Sequence, residues 1–138
     1  MFSLKNKIAV ITGGGSGIGR DIALLFAKQG AIIHIIELNS TAAAEVVNII
    51  NETGGIACTY SCNVANQKEV IAVFNNIGSI NILVNNAGIA HIGKATTTEE
   101  TDFDKVIKVN VKGVYNYLHA AIPQLQKWEG VSLSIWLL

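Results

Sequence analysis

A glycine-rich turn near the start of the chain constrains the fold more than any other stretch. It runs from Thr12 to Gly19 (T-G-G-G-S-G-I-G), after the apolar run Ile8–Ile11 and before a helical pattern of apolar residues. A buried strand, a glycine turn and a helix N-terminus form a site for a phosphate anion, because free N–H groups and the helix dipole face outward there. Glycine permits the turn and lets the anion approach the backbone.

An acidic residue follows at the distance that a dinucleotide site requires. Glu37 ends the next apolar run, 18 residues after Gly19, where a ribose 2′-hydroxyl needs an acceptor. Its carboxylate can accept from both ribose hydroxyls of NAD and repels the 2′-phosphate of NADP, so NAD is the predicted cofactor and NADP is disfavoured. The alternatives are a purely structural turn and an exposed acid at a strand end.

Short apolar strands alternate with amphipathic helices along the chain. This alternation predicts an α/β fold with a doubly wound parallel sheet and helices on both faces. The predicted strands are 7–11, 31–36, 56–61, 80–84 and 131–138. The predicted helices run from 17 to 29, from a cap at Asn39 or Ser40 to 52, from a cap at Asn66 to 77, and from a cap at Thr98 to 127, with a break near Asn110–Gly113.

Composition narrows the class of protein. The formal net charge is zero, which gives no support for binding to nucleic acid or to a membrane surface. Half of the residues are apolar, but no apolar run approaches the roughly 20 residues of a membrane span. Cys58 and Cys62 are too few for a disulfide framework and do not form C-x-x-C, so we predict buried free thiols, a cytoplasmic location and no metal site.

The glycine spacing, T-G-x-x-x-G-x-G from Thr12 to Gly19, differs from the commoner G-x-G-x-x-G and resembles that of the short-chain dehydrogenase/reductase family. Asn85–Gly88 (N-N-A-G) and Val109–Val111 (V-N-V) also match, and the resemblance covers Met1 to Glu129. It implies a single NAD(P)-binding, Rossmann-like domain over residues 1–138, incomplete after its fifth strand. It also implies reversible hydride transfer between the cofactor and a small-molecule alcohol or carbonyl, in a homo-oligomer when full-length.

The resemblance further implies roles for individual residues. Where the family has an aspartate that binds the adenine amino group, this chain has Asn63, whose amide oxygen can still accept; the alternative is that Asn63 merely turns the chain. Asn85 is expected to tie the central strands together. Asn110 matches the catalytic asparagine, which loosens a helix so that a main-chain carbonyl holds a water of the proton relay. The implied cofactor-binding residues are Thr12, Gly13, Gly15, Ser16, Gly17, Ile18, Gly19, Glu37, Leu38, Asn63, Val64, Asn86, Ala87 and Gly88.

The family's proton-transfer pair, a tyrosine with a lysine four residues later, is missing from these 138 residues. The lysine matters because the ordinary tyrosine pKa of about 10 is too high for a base near neutral pH. We therefore expect a cofactor site without turnover, and a non-catalytic NAD-binding module or pseudoenzyme is the alternative function. At the required spacing Tyr60, Tyr115 and Tyr117 are followed by Val64, His119 and Ala121.

The sequence from Gly130 to Leu138 is unlike the family, and the chain is expected to be truncated at its C-terminus. One choice of codons for this segment, read in another frame, encodes S-F-I-I-N-M-A-S, a family-like strand that ends in the expected serine. A natural or sequencing frameshift near Gly130 is therefore the hypothesis.

Overall fold

The computed structural model describes residues 2–125 and 133–136. In these residues five parallel strands form one sheet: β1 (Ile8–Thr12), β2 (Ile32–Ile36), β3 (Ile56–Tyr60), β4 (Ile82–Asn85) and β5 (Leu133–Trp136). Their order is β3-β2-β1-β4-β5, with every neighbouring pair parallel. The winding direction reverses between β1 and β4, which is where open α/β sheets bind ligands. The predicted fold class is confirmed.

The helices connect the strands and cover both faces of the sheet. They are α1 (Gly17–Lys28), α2 (Ser40–Glu52), α3 (Gln67–Ile77), α4 (Glu100–Ile107) and α5 (Gly113–Leu125). A π-helical segment, Lys108–Lys112, joins α4 to α5 and is the predicted break in this region. Such widened turns occur frequently at functional sites.

Apolar side chains form two cores, one on each face of the sheet. Along β1, Ala9 and Ile11 point to the core covered by α1 and α2, whereas Val10 points to the core covered by α3 and α5. This alternation explains why the strands read as continuous apolar runs, since both faces are covered. Burial of a fully buried isoleucine such as Ile33 stabilises the folded state by about 1.5–3 kcal/mol relative to an exposed side chain. The packing fixes the carboxyl ends of the strands relative to one another.

Several predicted bounds differ from the observed ones by one or two residues, and hydrogen bonds account for two of the differences. Thr98 does not cap α4; its hydroxyl donates to the Lys94 carbonyl at 2.9 Å within the loop, and Glu99 takes the cap position. β4 begins at Ile82 rather than at residue 80: the Ile8 carbonyl accepts the Asn81 N–H at 2.9 Å, but the Ile8 N–H donates to the Asn81 side chain at 2.8 Å instead of to a backbone carbonyl of the strand.

Several predictions fall on residues 126–132 and 137–138, which lie outside the described residues. They are the helix end at 127, the frameshift point at Gly130 and both ends of the last strand. In the part of the chain that is described, no helix is long and apolar enough to cross a membrane.

Candidate functional site

A cleft of about 510 Å³ opens at the carboxyl edge of the sheet. This volume falls within the range of about 300–1,000 Å³ that is typical of small-molecule sites. A larger hollow, about 670 Å³, lies between α1 and α2 beside the first residues of β2 and β3, at the opposite edge of the sheet from the glycine turn. The residues that line the cleft are Gly13, Ser16, Ile18, Ile36, Glu37, Leu38, Cys62, Asn63, Val64, Asn86, Ala87, Gly88, Ile89, Lys105 and Val109.

The glycine turn leaves the start of α1 open to the cleft. Gly13 (φ 67°) and Gly17 (φ 51°) adopt the left-handed backbone region, as predicted for the turn. A Cβ atom added at Gly17 would meet nothing within 4 Å, so there is room for a ligand in front of it. Ser16 occupies the N-cap position of α1 without a side-chain capping bond. The first N–H groups of the helix are therefore available to an anion.

Glu37 stands at the end of β2, beside the glycine turn. One carboxylate oxygen accepts the Gly15 N–H at 3.2 Å, and the other accepts the Asn39 N–H at 3.1 Å. Each carboxylate oxygen can accept more than one hydrogen bond, so acceptor capacity remains for a ligand. The two backbone bonds thus fix the orientation of a negatively charged acceptor at the cleft.

The end of β3 supplies Asn63 and Val64 to the cleft wall. The Asn63 amide oxygen accepts the Ala65 N–H at 3.0 Å, and the Asn63 N–H donates to Glu69 at 3.0 Å. This hydrogen bond shapes the turn after β3, and the second lone pair of the Asn63 oxygen remains for a ligand. The Val64 carbonyl accepts from the Asn116 side chain at 2.8 Å, which holds this segment against α5.

Thr12 and Asn86 join the glycine turn to the end of β4. The Thr12 hydroxyl accepts the N–H groups of Asn86 and Ala87 at 3.0 and 2.9 Å. The Asn86 amide donates to the carbonyls of Thr12 and Gly13, both at 3.1 Å. Because Thr12 is fully buried, its side chain positions the backbone of the site and does not reach the cleft.

Asn85 joins strands through its backbone and not through its side chain. It belongs to β4, where it is in register with Trp136 of β5. Its side chain is buried, yet neither its amide nitrogen nor its oxygen has a hydrogen-bond partner among the described residues.

Asn110 lies in the π-helical segment and binds the loop after β4. Its amide oxygen accepts the Ile89 N–H at 2.9 Å, and its amide nitrogen donates to the Ile89 carbonyl at 2.8 Å. This pair of bonds satisfies both backbone polar groups of Ile89. The bonds hold the loop after β4 against the π-helical segment, with Asn110 beside Gly88, which lines the cleft.

Replacing Asn110 by alanine is expected to lower the free energy of unfolding by about 1–3 kcal/mol, because both Ile89 backbone groups lose their partner. Urea denaturation measures this. The control is Asn48→Ala on the exposed side of α2, where alanine favours the helix and no loss is expected. An equal free energy of unfolding in the two variants would contradict the bracing role of Asn110.

The tyrosines are poorly placed for proton transfer near neutral pH. Burial raises the pKa of Tyr117 well above its usual value, and its hydroxyl has no hydrogen-bond partner among the described residues. Burial and the hydrogen bond with Cys58 raise the pKa of Tyr60 to about 12. Both shifts are opposite to the lowering that a tyrosine base needs.

The two cysteines occupy different environments, and neither forms a disulfide. Cys62 is buried beside the cleft, where burial raises the pKa of its thiol to about 11. Cys58 is only half-buried, contrary to prediction, and its sulfur lies 3.1 Å from Nδ1 of His34 and 3.6 Å from the Tyr60 hydroxyl. Among the described residues, no group of three or more His, Cys, Asp or Glu side chains could hold a metal ion.

Comparison with known proteins identifies the architecture. The family model described as short chain dehydrogenase matches residues 7–133. The chain belongs to the short chain dehydrogenase family. The resemblance seen in its glycine spacing and in its N-N-A-G and V-N-V motifs is thereby confirmed.

Curated short chain dehydrogenase relatives extend well beyond the matched region. The chain is 38% identical over 130 residues to an uncharacterized oxidoreductase of Thermotoga maritima, covering 93% of this chain and 52% of that protein. It is 36% identical over 127 residues to the cyclohexanol dehydrogenase of an Acinetobacter strain, covering 87% of this chain and 50% of that enzyme. The chain therefore spans about half the length of the curated relatives it matches.

A solved member of the short chain dehydrogenase/reductase group has the same fold. It comes from Burkholderia phymatum and was crystallised in complex with NAD. The TM-score is 0.92 at 28% identity, and the match covers 99% of this chain and 50% of that one.

Five of the residues that line the cleft were missed in the sequence. Val109 and Lys105 lie four residues apart, which places both on one face of the helical region. That spacing, counted back from the V-N-V motif, is the signal that could have found Lys105. The other three adjoin predicted site residues and carried no signal of their own: Ile36, Cys62 and Ile89.

Proposed function

We propose that these residues form the cofactor-binding part of an NAD-dependent oxidoreductase acting on the hydroxyl or carbonyl group of a small molecule. The observation that carries the proposal is the Glu37 carboxylate, held by two backbone N–H groups beside a glycine turn that is open at Gly17. An anion site and a sugar-hydroxyl acceptor on adjacent strands are the two recognition elements of a dinucleotide cleft.

Each part of NAD can be assigned to a group of the cleft with suitable chemistry. The N–H groups from Ser16 to Gly19 suit the pyrophosphate, and Glu37 suits the adenosine ribose. Ile18 and Leu38 are 64% and 70% exposed, and apolar side chains this exposed at a cleft rim suit packing against a ligand. The small residues of Asn86–Gly88 leave room for the second ribose. NAD bound there would supply the hydride acceptor, and NADH the donor.

The chain's own residues would position the cofactor. The helix dipole and the N–H groups of the turn attract the pyrophosphate, and Glu37 orients the sugar. Thr12 and Asn86 keep the turn and β4 in register, and Asn110 holds the loop after β4 through Ile89. We propose Asn110 as the family's catalytic asparagine on this basis, since it occupies a widened helical turn.

A non-catalytic NAD-binding module is the second candidate function. It is favoured by the lack of Tyr-x-x-x-Lys in these 138 residues and by the raised pKa values of Tyr60 and Tyr117. A module of this kind would bind NAD as a sensor or as a binding partner, with the same cleft.

Calorimetry on a polypeptide of these 138 residues tests the proposal. We expect heat on addition of NAD, and no formation of NADH, read by absorbance, with a panel of small alcohols. Loss of a general acid or base slows the reaction by about 10²–10⁴-fold, and these residues lack the pair that would supply it. No heat with either NAD or NADH at millimolar concentration would refute the cofactor site. Measurable alcohol oxidation would exclude the non-catalytic module.

A further inference from the structure

The continuous helical region from α4 to α5 has one face that lines the cleft at one end and packs into the core at the other. Lys105, Val109, Gly113 and Tyr117 follow one another at intervals of four residues across the π-helical segment. Tyr117 lies in the core, with its ring 6.3 Å from that of Phe74. The face therefore begins in the interior of the protein, under α3.

The same face then passes the end of β3 and reaches the cleft. A Cβ atom added at Gly113 would lie 2.9 Å from the Val64 side chain, so the helix backbone packs directly on that residue. Val109 and Lys105 line the cleft one and two turns before Gly113. At about 1.5 Å per residue, Lys105 lies roughly 12 Å beyond Gly113 along the axis, at the mouth of the cleft. This is the β3 side, where the adenosine half of a dinucleotide belongs.

The charge of Lys105 is not used elsewhere. Lys105 and Glu37 are the two charged residues in the cleft lining. No carboxylate of the described residues lies within ion-pair distance of the Lys105 ammonium. An ammonium group offers three donors and no acceptor. The Asn63 oxygen, the acceptor expected to read the adenine amino group, accepts the Ala65 N–H and keeps a second lone pair, so Lys105 would add a donor to the same side of the cleft.

We propose that Lys105 positions the adenine base of the dinucleotide by donating a hydrogen bond to an acceptor nitrogen of the ring. This inference rests on the proposed NAD site. The cleft then offers the base a donor in addition to the Asn63 oxygen. The donor is directed at N3 or N7, the ring nitrogens that remain acceptors when an oxygen replaces the amino group, so losing it weakens the binding of both bases equally.

The test compares Lys105→Met, which removes the charge and every side-chain donor, with Lys108→Met, the same change at an exposed residue of the same helical region outside the cleft lining. Calorimetry is run with NAD, ADP-ribose and nicotinamide hypoxanthine dinucleotide. Lys105→Met is expected to weaken the binding of all three by about five- to tenfold, the effect of one charge-assisted hydrogen bond that is partly open to water. Lys105→Arg keeps a donor and is expected to retain most of the affinity, while Lys108→Met leaves it unchanged.

Each outcome decides the matter. Equal NAD affinity in the two methionine variants overturns the inference, as does a loss for NAD that is absent for ADP-ribose. So does a loss in Lys105→Met for NAD that is absent for the hypoxanthine dinucleotide, because N3 and N7 are acceptors in both bases. If the unsubstituted chain binds no dinucleotide at all, the proposed function fails first, and this inference with it.

Discussion

Replacing Glu37 by glutamine is expected to weaken the binding of NAD and to strengthen that of NADP, changing the ratio of the two affinities by about 100-fold. Two unit charges about 5 Å apart at an effective dielectric constant of about 20 repel by about 3 kcal/mol. The substitution removes this repulsion from the 2′-phosphate of NADP. It also takes one ribose acceptor from NAD, so the two changes move the ratio in the same direction.

The matched control is Glu45→Gln, which removes the same charge from an exposed residue of α2 outside the cleft lining. Titrating both variants with NAD and NADP separates a local effect from the change in net charge. Because Glu37 also accepts the Gly15 and Asn39 N–H groups, a thermal melt must show that the variant remains folded. An unchanged ratio in Glu37→Gln, or a preference for NADP in the unsubstituted chain, would show that Glu37 does not select the cofactor.

The sheet could be predicted from the sequence because each strand is short, apolar on both faces and bounded by a turn signal. The caps of α2 and α3 were also correct: Asn39 accepts the Ala42 N–H, and Asn66 accepts the N–H groups of Lys68 and Glu69. These signals are local, since the residue and its partner lie within one turn of each other.

Other features could not be predicted. Thr98 has the chemistry of a cap, but the Lys94 carbonyl four residues earlier in the loop accepts its hydroxyl hydrogen bond. Asn81 accepts the Ile8 N–H through its side chain, across 73 residues of sequence, at the start of β4. The Asn85 side chain is buried and has no hydrogen-bond partner in the described part of the chain. The last two depend on the tertiary arrangement, which no pattern along the chain encodes.

The candidate site shows the same division. The glycine turn and Glu37 could be predicted because the turn, the next strand and the acid follow one another in sequence. Lys105 was not, because it reaches the cleft from a helix more than 40 residues beyond the β3 end that it faces. Its placement depends on the packing of Gly113 against Val64 and on the bonds from Asn110 to Ile89.

Replacing Gly19 by alanine is expected to weaken NAD binding at least 100-fold and to lower the free energy of unfolding by about 1–3 kcal/mol, the usual cost of overpacking. A Cβ atom there would overlap the Gly13 carbonyl and the Asn86 amide nitrogen. The Asn86 amide is the group that bonds to the carbonyls of Thr12 and Gly13. One methyl group would therefore push α1 away from β4 and displace the N–H groups that face the cleft.

Gly54→Ala separates the loss of stability from the loss of the site. Gly54 has a positive φ of 86° and no atom within 4 Å of an added Cβ, so alanine strains the backbone by about 1–2 kcal/mol without a clash. It follows α2 at the opposite edge of the sheet, so NAD affinity should remain unchanged in this variant. Both variants are compared by urea denaturation and by NAD titration below their unfolding transitions. If Gly19→Ala bound NAD as tightly as Gly54→Ala, the close approach of α1 to β4 would have no part in forming the cofactor site.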